Sequence, residues 1–197
     1  MIYEFNGYKP VIDPSSFVHK EAAIIGNVII GKDVYVGPGA SIRGDWGQIT
    51  INNGCNIQDN CIVHIFPGKD VILQESAHIG HGAIIHGANI GRNTLIGMNA
   101  VVMDDANVGD ECIVGALCFV KGDMQIPNRK IVVGNPAQIK GDVSDEMLAW
   151  KTKGTELYQQ LPKECTELMK ECNPLHKTEE KRKKKQKTTF DTWKKTR

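Results

Sequence analysis

Three histidines, His64, His81 and His86, crowd around one stretch that interrupts an otherwise regular chain. Three neutral imidazoles with an open fourth position are the donor set of a catalytic zinc site, where the metal brings the pKa of its water towards neutrality. One such histidine alone would more simply be a surface or hydrogen-bonded structural residue. The set, together with Arg43, Asp45, Gln58 and Asp59, points instead to a metal centre. Imidazole suits Fe2+ and Co2+ as well, so the residue types favour Zn2+ without fixing it. His78, in the same run, is expected behind the ligands or at a corner of the fold.

What must position these side chains is a repeat of six. Val18, Ile24, Ile30, Val36 and Ile42 form one series, Ile51, Ile57 and Val63 a second, and Ile84, Ile90, Ile96, Val102, Val108, Val114 and Val120 a third. Two residues before most of them stands a small or β-branched partner, such as Ala22, Val34, Thr94 or Cys112. A period of six matches neither a helix nor a hairpin. It matches a solenoid of three short parallel strands per coil, an all-β architecture. Burying each Val or Ile contributes roughly 1.5–3 kcal/mol, enough in sum to drive folding without a two-layer core. Gly31, Gly37, Gly91, Gly97, Gly109 and Gly115 directly follow series members and are expected at corners with positive φ.

The phase slips twice. A step of nine between Ile42 and Ile51 makes residues near Asp45-Trp46-Gly47 bulge, and Phe66-Pro67-Gly68-Lys69-Asp70 reads as a protruding loop. Insertions in solenoids collect on one face, often the binding face. The chemistry-capable side chains cluster at these two places.

The coil domain is assigned to residues 1–140. Residues 141–172 read as helical: Ser144-Asp145-Glu146 caps a first helix, Gly154-Thr155 should break it and start a second, and Pro162 should kink that one. Residues 173–197 carry a block of like charge, expected as a disordered basic tail in which Phe190 and Trp193 could make a short anchoring contact.

With 24 Lys and Arg against 23 Asp and Glu, the formal net charge is +1, which argues against a nucleic-acid-binding body. No apolar run approaches the roughly 18 residues of a membrane span, and no secretory h-region opens the chain, so a cytoplasmic location is expected. The six cysteines suggest no disulfide framework; Cys55, Cys61, Cys112 and Cys118 occupy small-partner positions and are read as core.

The runs Ser41-Ile42-Arg43-Gly44-Asp45, Asn56-Ile57-Gln58-Asp59-Asn60-Cys61-Ile62-Val63-His64 and Gly80-His81-Gly82-Ala83-Ile84-Ile85-His86-Gly87 resemble the γ-class carbonic anhydrases. The resemblance extends over about residues 5–172 and is greatest to the branch of phenylacetate-degradation and carnitine-operon proteins. It implies a left-handed parallel β-helix assembled as a homotrimer, with a site at each subunit boundary. His64 and His86 would bind the metal from one chain, and His81 would reach the metal shared with the neighbour. Gln58 would hydrogen-bond the nucleophile or substrate, Arg43 and Asp59 would pair across the boundary, Asp45 would belong to the same network, and Tyr158 would lie near a site tyrosine.

One departure bears on chemistry. Fast carbonic anhydrases of this family place glutamates beside the zinc to export protons, whereas Trp46 follows Asp45 here and the 66–70 loop has no glutamate. The resemblance therefore implies acyl-CoA thioester hydrolysis, with CO2/bicarbonate as a slow alternative substrate. Two other readings stand beside it. A CoA-dependent acyltransferase would use the same coil, often with an ending like Gly134-Asn135-Pro136-Ala137, and a lone basic histidine. A non-catalytic accessory subunit would need no metal.

Overall fold

The structure, a computed structural model, describes residues 1–180, 182 and 190–193. Its body is a parallel β-solenoid. One face stacks Phe17–Val18, Tyr35–Val36, Asn56–Ile57, His78–Ile79, Leu95–Ile96, Ile113–Val114 and Lys130–Val133 in that order. The other strands form a second, 12-stranded sheet bent around the remaining faces. The last rung ends on an antiparallel partner, Gln138–Asp142, which blocks addition of a further parallel strand at that edge.

Strands of two residues are stable here because each adds one aliphatic side chain to a continuous axial core. Ile24, Ile30, Val36, Ile42, Ile51, Ile57 and Val63 are all buried, as are the small partners Ala22, Val34, Ala40, Thr94 and Ala100. Cys55, Cys61, Cys112 and Cys118 are buried free thiols. The Sγ of Cys55 donates to Gln74 O at 3.0 Å and that of Cys61 to Gly80 O at 3.1 Å. Burial pushes these two thiols up to about 12 and about 11, so they stay protonated and unreactive.

The expected bulge is present. Strand Ser41–Ile51 runs through it, pairing Gly44 with Gly26 but Ile49 with Val28, so five steps on one strand oppose two on its neighbour. The 66–70 loop leans on this bulge, with Gly68 N donating to Trp46 O at 3.1 Å.

Three expectations need correction. In the third series the core residue is Ile85, fully buried, while Ile84 is only half-buried. From Ile79 to Ile85 the step is six, but from Ile85 to Ile90 it is five. The coil drops one residue at the left-handed Gly87, φ +61°, immediately after His86.

The corner glycines also work differently from the expectation. Positive φ falls two residues after them, at Asp33, Gly39, Asn93, Asn99, Glu111 and Leu117. The glycines are required by proximity: a Cβ on Gly91 would meet the Gly109 carbonyl carbon at 2.4 Å, and one on Gly97 would meet Ala116 N at 2.4 Å.

Thirdly, the C-terminal segment is one helix, Asp145–Leu168, capped by Ser144, and neither Gly154 nor Pro162 ends it. Its docking face is polar. Lys151 Nζ donates to Asn93 O at 2.8 Å and to the Asn93 amide oxygen, and Gln159 Nε2 donates to Gly54 O at 3.0 Å. Thr155 Oγ1 donates to Lys151 O at 3.4 Å and accepts from His78 Nδ1 at 3.2 Å. Lys151, Thr155 and Gln159 recur every four residues, so they share a stripe, and that stripe carries the helix across Gly154. The block at 183–189, with its expected solvated disorder, lies outside the described residues.

Among the described residues no helix is long and apolar enough to cross a membrane.

Candidate metal centre

His64 ends strand Ile62–His64, and His86 ends Ile84–His86 on the next rung; the two are Cα partners in the parallel ladder. That register aims both rings the same way and brings His64 Nδ1 within 3.3 Å of His86 Nε2. Each ring's other nitrogen meets a carboxylate: His64 Nε2 lies 2.9 Å from Asp45 Oδ1, and His86 Nδ1 lies 2.7 Å from Asp104 Oδ1.

The chemistry of this donor set decides what fits between the rings. A carboxylate accepts the N–H of a neutral imidazole and so fixes its tautomer. With Asp45 and Asp104 accepting, His64 Nδ1 and His86 Nε2 both present lone pairs. Two acceptors at this distance are compatible only with a cation or a proton between them, so the pair fits a bound divalent metal. Asp45 comes from the bulge, where it also pairs with Arg43. Burial acts to raise the Asp45 carboxyl, but the hydrogen bonds from His64 and Arg43 outweigh it and hold it below its ordinary value.

Aromatic rings wall the pair. Trp46 lies 5.2 Å from the His64 ring, and Phe66 meets the His86 ring edge-on at 5.2 Å. Both aromatics are about half exposed, at 49% and 52%, whereas His64 is 6% exposed, so the imidazoles sit in a shallow apolar frame open to one side.

His81 is elsewhere on the chain. Its Nδ1 lies 2.7 Å from Asp59 Oδ2, and Tyr158 Oη lies 3.3 Å from its Nε2. Burial and the nearby Asp59 push the Tyr158 phenol up, so it remains a neutral hydroxyl that can donate to His81. Among the described residues no three His, Cys, Asp or Glu side chains of one chain are placed to hold a metal together. The chain thus carries two histidines at one place and a third at another, each backed by its own carboxylate.

Gln58 belongs to the His81 region. Its Nε2 donates to Asn56 Oδ1 at 2.9 Å and to His78 Nε2 at 2.7 Å, and its Oε1 accepts from His81 N at 3.2 Å. The amide holds the His81 backbone. Arg43 and Asp59 do not meet within the chain: Arg43 turns to Asp45 and Asp59 to His81. His78 lies behind Gln58, and burial, reinforced by Lys151, pushes its pKa down to about 3, leaving it neutral.

Asp104 and Phe66 were not singled out from the sequence as site residues. Asp104 follows His86 by 18 residues, three hexapeptides, a spacing that would have drawn attention to it. The coil here is 17 residues long, Ile85 pairing with Val102, so Asp104 stands one position past the residue level with His86. Phe66 carried no comparable signal.

Coil, corner glycines and rung-matched histidines define a hexapeptide-repeat protein. The model of the bacterial transferase hexapeptide (six repeats) matches residues 87–122. The carnitine operon protein CaiE of Escherichia coli O157:H7 is 47% identical over 187 residues, 95% of each chain. CaiE of Citrobacter koseri is 50% identical over 180 residues, 91% of each. Among solved structures, a hexapeptide transferase family protein from Anaplasma phagocytophilum superposes with a TM-score of 0.79 at 29% identity, covering 83% of this chain and 96% of that one. The N-acyltransferase AntD of Bacillus cereus shares the fold at a TM-score of 0.60 and 14% identity, over 79% of this chain and 90% of its own. The chain belongs to the CaiE family of hexapeptide-repeat proteins, the γ-carbonic-anhydrase-like branch its sequence resembles.

Proposed function

We propose that the protein is a metal-dependent hydrolase of acyl-CoA thioesters, working as a homotrimer with one site at each subunit boundary and retaining slow CO2 hydration. The observation that carries this reading is the division of the histidines. His64 and His86 face each other with two lone pairs and no third ligand, while His81 stands half exposed with its carboxylate already in place. Docking one chain's His81 against the neighbour's His64 and His86 completes a three-imidazole set with an open fourth position, the donor pattern of catalytic zinc. Zn2+ is the preferred ion, with Fe2+ or Co2+ also suited to imidazole.

Bound there, the metal would supply Lewis acidity and a water acidic enough to ionise near neutral pH. The chain's own residues do the rest. Asp45, Asp59 and Asp104 hold the three imidazoles in the ligating tautomer, and Tyr158 would release His81 Nε2 for that nitrogen to ligate. Gln58 fixes the His81 backbone; donating to a nucleophile would require it to exchange its bond to His78. Trp46 and Phe66 exclude water from the open side and present an apolar surface to an acyl group.

Purified, metal-replete protein is expected to hydrolyse an acyl-CoA, and His81→Ala to abolish that turnover. Activity that survives loss of two of the three histidines would remove the metal from the account.

A second reading, CoA-dependent acyl transfer, draws support from the transferase family of the Anaplasma structure and from the half-exposed His81–Asp59 pair, a geometry suited to a general base. Metal content separates the two: transfer to an amine or alcohol by metal-free protein would favour the transferase.

A further inference from the structure

Beside His81, between the helix and the coil, lies a cavity of about 460 Å³, within the range of small-molecule pockets. Its polar groups are Gln58 and the His78–His81 turn, on two successive rungs of the coil, with Tyr158 and Lys151 from the helix. The next two rungs line it with Leu95, Ile96, Met98, Ile113 and Val114. At one strand spacing per rung, the walls extend about 14 Å along the coil axis, polar at the His81 end and apolar beyond it except for Lys151, whose Nζ is turned to Asn93 O.

The outer wall is supplied by the C-terminal segment. Phe190 stacks on Trp150 with ring centroids 5.4 Å apart and planes at 25°, and Trp150 Nε1 donates to Asp191 O at 2.8 Å. Trp193 packs on the same indole at 6.1 Å. Gly154 permits this seat, because a Cβ there would come within 3.1 Å of Phe190 Cζ. Phe190 borders the cavity without filling it, since the volume remains with the ring in place.

We propose that this cavity receives the apolar acyl group of the substrate, and that Phe190, clamped on Trp150, is the specificity-determining residue that limits its length. The assignment rests on the thioesterase reading above. The thioester end would lie by His81 and Tyr158, towards the subunit boundary, and the hydrocarbon would run past Leu95 and Ile113 until it meets the Phe190 ring. Gly154 is then a glycine for substrate selection as much as for the helix.

The test compares full-length, metal-replete wild type with Phe190→Ala and Leu95→Trp, measuring kcat/KM for acetyl-, butanoyl-, hexanoyl- and octanoyl-CoA. Phe190→Ala should raise the octanoyl-to-acetyl ratio at least about tenfold, and Leu95→Trp should lower it, as expected when several methylenes gain or lose a pocket. Identical chain-length profiles in all three proteins would overturn the proposal while leaving the hydrolase intact. Calorimetric titration of the metal-free proteins with hexanoyl-CoA and acetyl-CoA supplies the second readout. Chain-length-dependent binding that follows the Phe190 and Leu95 variants, without turnover of any thioester, would uphold the pocket and sink the hydrolase. Binding that ignores acyl length would overturn the pocket.

Discussion

His64 and His86 are partners across one rung of the parallel ladder, and their facing nitrogens lie 3.3 Å apart. Neither ring can donate to the other while Asp45 and Asp104 hold their N–H groups. Loss of the Asp104 carboxylate should therefore weaken metal binding without unfolding the coil. Asp104→Asn is expected to lower affinity for Zn2+ by about 10–100-fold, measured by competition with a chromophoric chelator. An unchanged affinity would mean that the carboxylate does not orient His86.

The dropped residue at His86-Gly87 makes a second prediction. Ile85 is fully buried and Ile84 only half-buried. Ile85→Ala should cost roughly 2–5 kcal/mol, the usual range for a core deletion, and Ile84→Ala distinctly less. Denaturant unfolding of the two variants checks the order. The reverse order would restore an unbroken six-residue phase from Ile84 to Ile90.

His78 sets a pH dependence. Its folded pKa of about 3 lies below the ordinary value near 6.5, so below about pH 6.5 the unfolded chain binds a proton that the folded chain refuses. Stability then falls as pH falls, by up to about 1.4 kcal/mol per unit from this one group, until the folded pKa is reached. Thermal melts between pH 7 and 5 should show a steeper loss for wild type than for His78→Gln. Parallel slopes would show that the ring is solvated in the folded protein.

Much of the coil was legible because a strand-and-corner repeat writes its period directly into residue type: Ile24, Ile30, Val36 and Ile42 could hardly be anything else. The shift from Ile84 to Ile85 was hidden because both are isoleucine and only Gly87's backbone tells which one faces inward. The helix reads as two because Gly154-Thr155 looks like a break, whereas Lys151, Thr155 and Gln159 carry it across the glycine through hydrogen bonds to the coil. At the site, the histidines stood out by chemistry. Asp104 did not, since a carboxylate about one coil away looks like any other surface residue until the rungs are stacked. The placement of His81 apart from His64 and His86 came from family resemblance; spacing alone carried no sign of it.

The division of the ligands between two chains is tested most directly by complementation, with bound zinc as the readout. His81→Ala and His86→Ala should each bind no zinc at the site as pure proteins. Unfolded together in equal amounts and reassembled, they should regain zinc at about a quarter of the boundaries, those where an intact His64–His86 pair meets an intact His81. Recovery near that fraction is the predicted result; pure His81→Ala that keeps its zinc, or mixtures that bind none, would contradict a site shared between subunits.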